Sequence, residues 1–186
     1  NKVNTKEREM NSKTMLTPER EAKLIKLLQE MIQQQSFSGE EEGVAKVIEK
    51  NLLALGYDSV TFDKYGNVIG CIKGNKPGKK ILFDGHIDTV TIPEGTREKW
   101  TQDPFKAEIV DGKLYGRGTS DDKGPLIASL FAMKYLADNQ MIPEDACLRM
   151  IVGTDEEESW RCIRYYLDHA ETLPQVSVVP DANFPL

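Results

Sequence analysis

The chain has 186 residues, enough for one sizeable domain, and its hydrophobic content of 39% argues against disorder. Its 24 basic and 30 acidic residues give a formal net charge of -6, which opposes binding to nucleic-acid backbones and anionic membranes. No apolar run approaches the roughly 18–20 residues of a membrane span, and residues 1–15 are too polar for a signal peptide. We therefore expect a cytoplasmic protein with no nucleic-acid partner and no membrane partner.

The N-terminal part of the chain is predicted to be a flexible tail followed by a helix. Residues 1–15 lack apolar periodicity, and the folded unit is expected to span residues 16–186. Thr17 is suited to the N-cap of a helix and Pro18 to its first position. The residues after them place apolar side chains at helical spacing.

A second amphipathic helix is predicted to follow directly. Ser38 and Glu41 stand three residues apart, which is the spacing of a capping box, where each side chain bonds the backbone N–H of the other residue. Gly56 can adopt the left-handed conformation that ends many helices. Both helices are expected to be scaffold.

The rest of the chain alternates between strand and helix patterns. Strands are predicted at residues 59–62, 67–72, 80–83, 147–152 and 176–179, a hairpin at 107–115, and helices at 125–137 and 160–170. Alternation of this kind is typical of α/β proteins. The predicted fold class is therefore α/β, with a mixed, mostly parallel sheet flanked by helices.

Side chains that could bind a metal or take part in catalysis follow three of the predicted strands. His86 and Asp88 come after the first of these strands, Glu156 and Glu157 after the second, and Asp181 after the third. Loops at the carboxyl ends of strands line the binding crevice of open α/β sheets. These side chains are therefore expected to converge from distant positions in the chain.

A glycine-rich loop at residues 116–125 adds the carboxylate pair Asp121 and Asp122 directly before a predicted helix. One imidazole and several carboxylates form an oxygen-rich set that suits two divalent ions sharing a bridging carboxylate, and such a site hydrolyses its substrate. Asp88 could orient the imidazole of His86, because side chains two residues apart share a face of an extended segment. Acidic runs such as residues 155–158 also occur as solvated helix starts, and that alternative stays open here.

Four motifs together carry a resemblance to a known family. They are His86-Ile87-Asp88, the loop 116–125, Gly153-Thr154-Asp155-Glu156-Glu157 and Pro180-Asp181-Ala182. In this order they resemble the metal-site motifs of the aminoacylase/carboxypeptidase G family of co-catalytic zinc hydrolases. From the second motif onward the sequence is most similar to the bacterial aminoacyl-histidine dipeptidase branch. The resemblance implies that residues 16–186 are the N-terminal portion of a metallopeptidase catalytic domain.

The resemblance implies a set of metal ligands. His86 and Asp181 would bind one metal ion, Glu157 would bind a second, and Asp121 would bridge the two ions. Asp122 is the alternative bridge. The implied cofactor is Zn²⁺, with two ions per complete site and with Mn²⁺ or Co²⁺ as alternatives.

The resemblance also implies a reaction. Glu156 would act as the general base for metal-activated water, and Asp88 would support catalysis by orienting His86. The implied substrates are dipeptides or short peptides, whose amide bond would be hydrolysed. N-acyl amino acids are the alternative substrates, and a homodimer is the expected assembly of the full-length enzyme.

The chain departs from the family in two respects. Members bind the second metal with a further histidine and carry an inserted lid or dimerisation domain, and neither feature is found in this sequence. His169 lies in a predicted helix and is expected to be a surface residue or helix-end residue. The sequence therefore predicts a truncated catalytic domain that is inactive as an isolated fragment. A fragment that serves only as a binding or folding half is the remaining alternative.

Overall fold

The computed structural model describes residues 16–72 and 78–181. The predicted tail, residues 1–15, and residues 182–186 at the end of the last motif lie outside these ranges. The described helices are α1 (Pro18–Gln33), α2 (Glu42–Leu55), α3 (Lys123–Asp138) and α4 (Arg161–His169), with a 3-10 turn at Arg97–Lys99. The described strands are β1 (Ser59–Phe62), β2 (Val68–Ile72), β3 (Lys79–His86), β4 (Glu108–Val110), β5 (Lys113–Tyr115), β6 (Ala146–Gly153) and β7 (Val176–Val178). None of the helices in these ranges has the length and apolar character that a bilayer crossing requires.

The start of α1 and the end of α2 are confirmed. The backbone N–H of Arg20 donates to Thr17 Oγ1 at 3.3 Å, and Pro18 is the first helical residue of α1. Gly56 ends α2 with a φ of 79°, a left-handed conformation that costs a glycine no steric strain. Local backbone preferences therefore decided both positions.

The predicted capping box before α2 is wrong. Glu41 occupies the N-cap position, and no side chain caps the helix there. Ser38 Oγ donates instead to Asp88 Oδ2 at 2.7 Å, and Glu41 Oε1 accepts a hydrogen bond from the Asp155 N–H at 3.0 Å. Because the Ser38 and Glu41 side chains bond to distant segments, they do not form the reciprocal hydrogen bonds of a capping box.

A five-stranded mixed sheet organises the fold, in the order β1-β2-β6-β3-β7. β3 pairs in parallel with β6 and β7, whereas β2 runs antiparallel to β1 and β6. The register places His86 opposite Gly153 and Phe83 opposite Val178. Since parallel strands point the same way, the segments after β3, β6 and β7 leave the sheet at one edge. The predicted mixed α/β sheet is confirmed, and parallel pairing is found where the predicted site residues follow their strands.

Helices cover both faces of this sheet. α1, α2 and α3 pack on one face around a large core that includes the fully buried Met31 and Leu130. α4 lies on the other face, where Tyr166 packs with Leu82 and Ile151 in a smaller cluster. Side chains alternate between the faces along each strand, so one strand contributes to both clusters.

A separate two-stranded sheet is formed by the hairpin of β4 and β5. Its turn residues Asp111 and Gly112 have φ values of 50° and 74°. Two consecutive left-handed residues are typical of the tight hairpin turns that match the strand twist. The predicted hairpin is therefore confirmed.

Candidate metal centre

His86 is the last residue of β3, which extends three residues beyond the predicted strand 80–83. Its Nδ1 lies 3.0 Å from the backbone carbonyl oxygen of Asp88 and 3.2 Å from Asp88 Oδ1. Both groups only accept hydrogen bonds, so Nδ1 carries a proton and donates it. His86 Nε2 faces the opposite side, 3.1 Å from Asp121 Oδ1 and 3.7 Å from Glu156 Oε2. The buried imidazole thus presents one nitrogen to a group of carboxylates.

The Asp88 carboxylate connects His86 to the segment after β6. Its Oδ1 accepts a hydrogen bond from the Glu156 N–H, and its Oδ2 accepts one from the Glu157 N–H, each at 3.0 Å. Burial raises the pKa of Asp88, but hydrogen bonds from His86, Ser38 and these two backbone groups outweigh it and lower the pKa. Asp88 is therefore held as a carboxylate with no exposed surface.

Residues 154–157, here called the acidic turn, are anchored by hydrogen bonds that their backbone N–H groups donate. The N–H of Thr154 donates to Asn67 Oδ1 at 3.2 Å, and the N–H of Asp155 donates to Glu41 Oε1 at 3.0 Å. With the two bonds to Asp88, four consecutive N–H groups donate to side-chain oxygens from three other parts of the chain. This anchoring sets the position from which the side chains of Glu156 and Glu157 project.

The neighbouring residues Asp121 and Asp122 differ in their surroundings. The Asp121 side chain is 52% exposed and faces His86 Nε2. Asp122 is fully buried, and its Oδ2 accepts a hydrogen bond from the His86 N–H at 3.1 Å. Burial is the main reason that the pKa of Asp122 is raised, to about 7. A Cβ atom at Gly85 would lie 2.6 Å from Asp122 Oδ2, so this close approach requires glycine.

All six residues predicted for the site lie close together. Two overlapping groups each place one ligand atom per residue within 4.8 Å of the others: His86 with Glu156 and Asp181, and His86 with Asp121 and Glu157. His86 is common to both groups, and Asp88 contacts the other ring nitrogen, Nδ1. His169 does not join them; it ends α4, exposed to solvent, with its ring stacked 4.0 Å from that of Tyr165. The predicted surface position of His169 is confirmed.

The carboxylates of this site crowd one another. Burial raises the pKa of Glu156 and of Glu157, and nearby carboxylates raise both further. Burial lowers the pKa of His86, but the carboxylates around it outweigh this effect and raise the pKa to about 10. A cation would relieve the repulsion, because it favours the charged form of every carboxylate around it. Imidazole nitrogen and carboxylate oxygen are also the donors that Zn²⁺ accepts, so the residues fit a divalent metal.

A cavity of about 570 Å³ opens beside the carboxylate group. His86, Glu156 and Asp181 line it together with apolar side chains such as those of Trp160 and Leu167. This volume falls within the roughly 300–1,000 Å³ of small-molecule sites. The cavity therefore offers space for a small ligand next to the candidate metal ligands.

Sequence reasoning missed several residues that support the site. Asn67 and Glu41 anchor the acidic turn, and the partly buried Asp84 lines the cavity with its pKa raised to about 6, mainly by loss of solvent. Lys123 is also buried, and its Nζ donates to the carbonyl oxygens of Met31 and Gln34 at the end of α1. The closely spaced Ser38 and Glu41 were the only signal for this support, and a local cap explained them equally well.

Comparison with known proteins identifies the family. The sequence profile of Peptidase family M20/M25/M40 matches residues 82–181 of the chain, more than half of its length. The chain belongs to this family. M20 membership confirms the resemblance found in the sequence, and the matched range contains every residue predicted for the site.

The chain is also similar to individual proteins in sequence and in fold. Beta-Ala-Xaa dipeptidase of Lactobacillus delbrueckii subsp. lactis is 37% identical over 132 residues, which are 70% of this chain and 26% of that protein. The M20 family metallo-carboxypeptidase Sso-CP2 from Sulfolobus solfataricus has a TM-score of 0.73 at 24% identity, over 86% of this chain and 37% of its own. YXEP of Bacillus subtilis, described as a dinuclear metal binding peptidase from the M20 family, has a TM-score of 0.60 at 23% identity, over 85% of this chain and 41% of its own.

These likenesses confirm the α/β fold of an M20 catalytic domain. The chain spans about a fifth to a quarter of the length of the curated relatives that it matches. It covers 37% and 41% of the two solved structures. The fold is therefore shared with part of each of these larger proteins.

Proposed function

We propose that the chain is part of a metal-dependent peptidase that hydrolyses the amide bond of dipeptides or short peptides. The observation that carries the proposal is the position of His86, the buried imidazole that two groups of carboxylates share. M20 membership supports it, as do the relatives described as a dipeptidase and as a dinuclear metal binding peptidase.

The proposed metal ligands are His86, Asp121, Glu157 and Asp181. Asp121 is the proposed bridge, because its carboxylate faces His86 Nε2, whereas the carboxylate of Asp122 is bonded to the His86 backbone. Zn²⁺, with Mn²⁺ and Co²⁺ as alternatives, would polarise the scissile carbonyl and make water a stronger acid.

Glu156 is the proposed general base. Its position, with Oε2 3.7 Å from His86 Nε2 and beside the cavity, suits a carboxylate that takes a proton from water and passes it to the leaving amine. Asp88 keeps the Nδ1 proton of His86 in place, so that Nε2 stays directed at the carboxylates. Glu156 therefore transfers the proton, and Asp88 orients His86.

The dipeptidase relative supports dipeptides over N-acyl amino acids as substrates. Assays of the full-length parent on dipeptides and on N-acetyl amino acids will separate the two activities. Preferential hydrolysis of the acetylated compounds would replace the dipeptidase assignment with a deacylase. A cytoplasmic location and a homodimeric full-length enzyme stay predictions.

Calorimetric titration of the 186-residue chain with Zn²⁺ tests the metal site. We expect His86→Ala to weaken Zn²⁺ binding by more than about 100-fold, since groups that only orient a ligand are worth roughly 10–100-fold. His169→Ala is the matched control, because it removes the exposed histidine of α4 and should leave the affinity unchanged. Equal affinities for the two variants, or a wild-type chain that does not bind Zn²⁺, would leave the inactive-fragment alternative in place.

A further inference from the structure

The buried carboxylate of Glu41 does not cap the helix that this residue precedes. It stands directly before α2 and is 7% exposed, yet no side chain caps that helix. Burying a carboxylate is costly unless its oxygens are hydrogen-bonded. The contacts of Glu41 therefore lie elsewhere.

One oxygen of Glu41 joins two segments that are far apart in the chain. Glu41 Oε1 accepts a hydrogen bond from the Gly39 N–H at 2.9 Å and one from the Asp155 N–H at 3.0 Å. The first bond fixes the oxygen relative to its own loop, and the second connects that loop to the acidic turn. Glu41 therefore offers Asp155 an acceptor whose position is already set.

Asp155 has a left-handed backbone conformation that several hydrogen bonds hold in place. Its φ of 58° is left-handed, a region that is uncommon for residues other than glycine and in which aspartate is among the better tolerated. Its Oδ2 accepts hydrogen bonds from the hydroxyls of Tyr65 and Ser159, so the side chain is anchored as well. The bond to Glu41 holds the backbone N–H of the same residue.

The conformation of Asp155 determines where the next two residues go. Glu156 and Glu157 follow it directly, and their backbone N–H groups both reach the Asp88 carboxylate at 3.0 Å. Their side chains belong to the two groups of candidate metal ligands. A rotation at Asp155 would therefore move both carboxylates away from His86.

We propose that Glu41 is a positioning residue of the metal site, which holds the left-handed turn at Asp155 and so presents Glu156 and Glu157 to the metal ions. This inference rests on the proposed function, since it takes the site to bind metal. Residues that support metal ligands without touching the ion typically change metal affinity by about 10–100-fold, and we expect an effect of that size.

Four substitutions in the 186-residue chain separate positioning from charge and from general destabilisation. Glu41→Ala removes the acceptor, and Glu41→Asp keeps the charge but withdraws the oxygen by one methylene. Glu41→Gln keeps an acceptor oxygen at the same length without the charge. Glu42→Ala is the matched control, because Glu42 is the next residue, is exposed and pairs only with Lys46 among the described residues.

The measurements are the Zn²⁺ affinity by calorimetry, the visible absorption spectrum of the Co²⁺-loaded chain, and the melting temperature without metal. We expect Glu41→Ala and Glu41→Asp to bind Zn²⁺ about 10–100-fold more weakly and to alter the Co²⁺ spectrum. Glu41→Gln and Glu42→Ala should match the wild type in both. If Glu41→Ala does not fold, the contrast between Glu41→Asp and Glu41→Gln decides.

Two results would overturn the inference while the proposed function stands: wild-type affinity in Glu41→Asp, or a loss in Glu41→Gln as large as that in Glu41→Asp. The second result would show that an acceptor oxygen at the right position is not sufficient without the charge. A wild-type chain that binds neither Zn²⁺ nor Co²⁺ would instead refute the proposed function, and this inference with it.

Discussion

The acidic turn after β6 and Asp181 after β7 place carboxylates around the same imidazole, but the two segments are held differently. β6 lies between β2 and β3 in the sheet, and seven of its eight residues are buried. The turn that follows it donates four consecutive N–H groups to side-chain oxygens. β7 pairs with β3 over three residues at the edge of the described sheet, and all three are exposed.

This difference indicates that one side of the site is fixed by the interior of the fold and the other by a sheet edge. Segments with few buried contacts open at a lower free energy than the core does. The acidic turn is therefore expected to keep its geometry without metal more firmly than the short edge strand β7 does. Substitutions in the acidic turn and after β7 should therefore differ in how much they change the free energy of unfolding.

The largest expected effect is a loss of turnover when Glu156 of the acidic turn is changed. In the complete enzyme, Glu156→Ala should lower turnover by about 10²–10⁴-fold, the contribution usual for a general acid/base, while the metal content stays unchanged. Glu158→Ala, which changes the exposed glutamate two residues on, is the control. Steady-state kinetics with metal analysis checks this, and wild-type turnover in Glu156→Ala would assign the proton transfer to another group.

The next prediction compares Asp88, which supports the acidic turn, with Asp181, the proposed metal ligand after the edge strand β7. Asp88→Ala leaves the N–H groups of Glu156 and Glu157 without their acceptor, so we expect about 10–100-fold weaker Zn²⁺ binding and a loss of about 1–3 kcal/mol in the free energy of unfolding. Asp181→Ala should also weaken Zn²⁺ binding, but should lower the free energy of unfolding by less than Asp88→Ala does, because Asp181 is less buried than Asp88. Urea denaturation without metal measures both, and equal losses of stability would contradict the contrast.

The smallest effect compares the two strands through the same substitution. Val152 on β6 is fully buried, whereas Val176 on β7 is 54% exposed. Removing two buried methyl groups in Val152→Ala should lower the free energy of unfolding by about 2 kcal/mol. Val176→Ala should change it by less than about 0.5 kcal/mol. Urea denaturation again provides the measurement, and a large loss in Val176→Ala would show that β7 is held as firmly as β6.

Several elements could be read from the sequence because their causes are local. Pro18 and Gly56 mark helix ends through their own backbone preferences, and the Asp111-Gly112 turn is confirmed for the same reason. The alternation of strand and helix patterns predicted the α/β fold, because hydrophobic periodicity reflects which face of each element is buried.

Ser38 and Glu41 show where this reasoning fails. Their spacing matches a local cap, but their side chains bond to Asp88 and Asp155, 50 and 114 positions away. The same polar side chain satisfies either partner, so spacing alone cannot distinguish a cap from a tertiary contact. The buried position of Asp122 likewise depends on neighbours that sequence order does not reveal.

The residues of the candidate site, the M20 resemblance and the fold class were all readable along the chain, since each site residue follows a strand or lies in a recognisable loop. Their meeting around His86 was settled by the register of β3 with β6 and β7, together with the anchoring of the acidic turn. Strand order and register result from how helices and strands pack across the whole domain. No short stretch of sequence contains that information, because each packing contact joins residues that are distant in the chain.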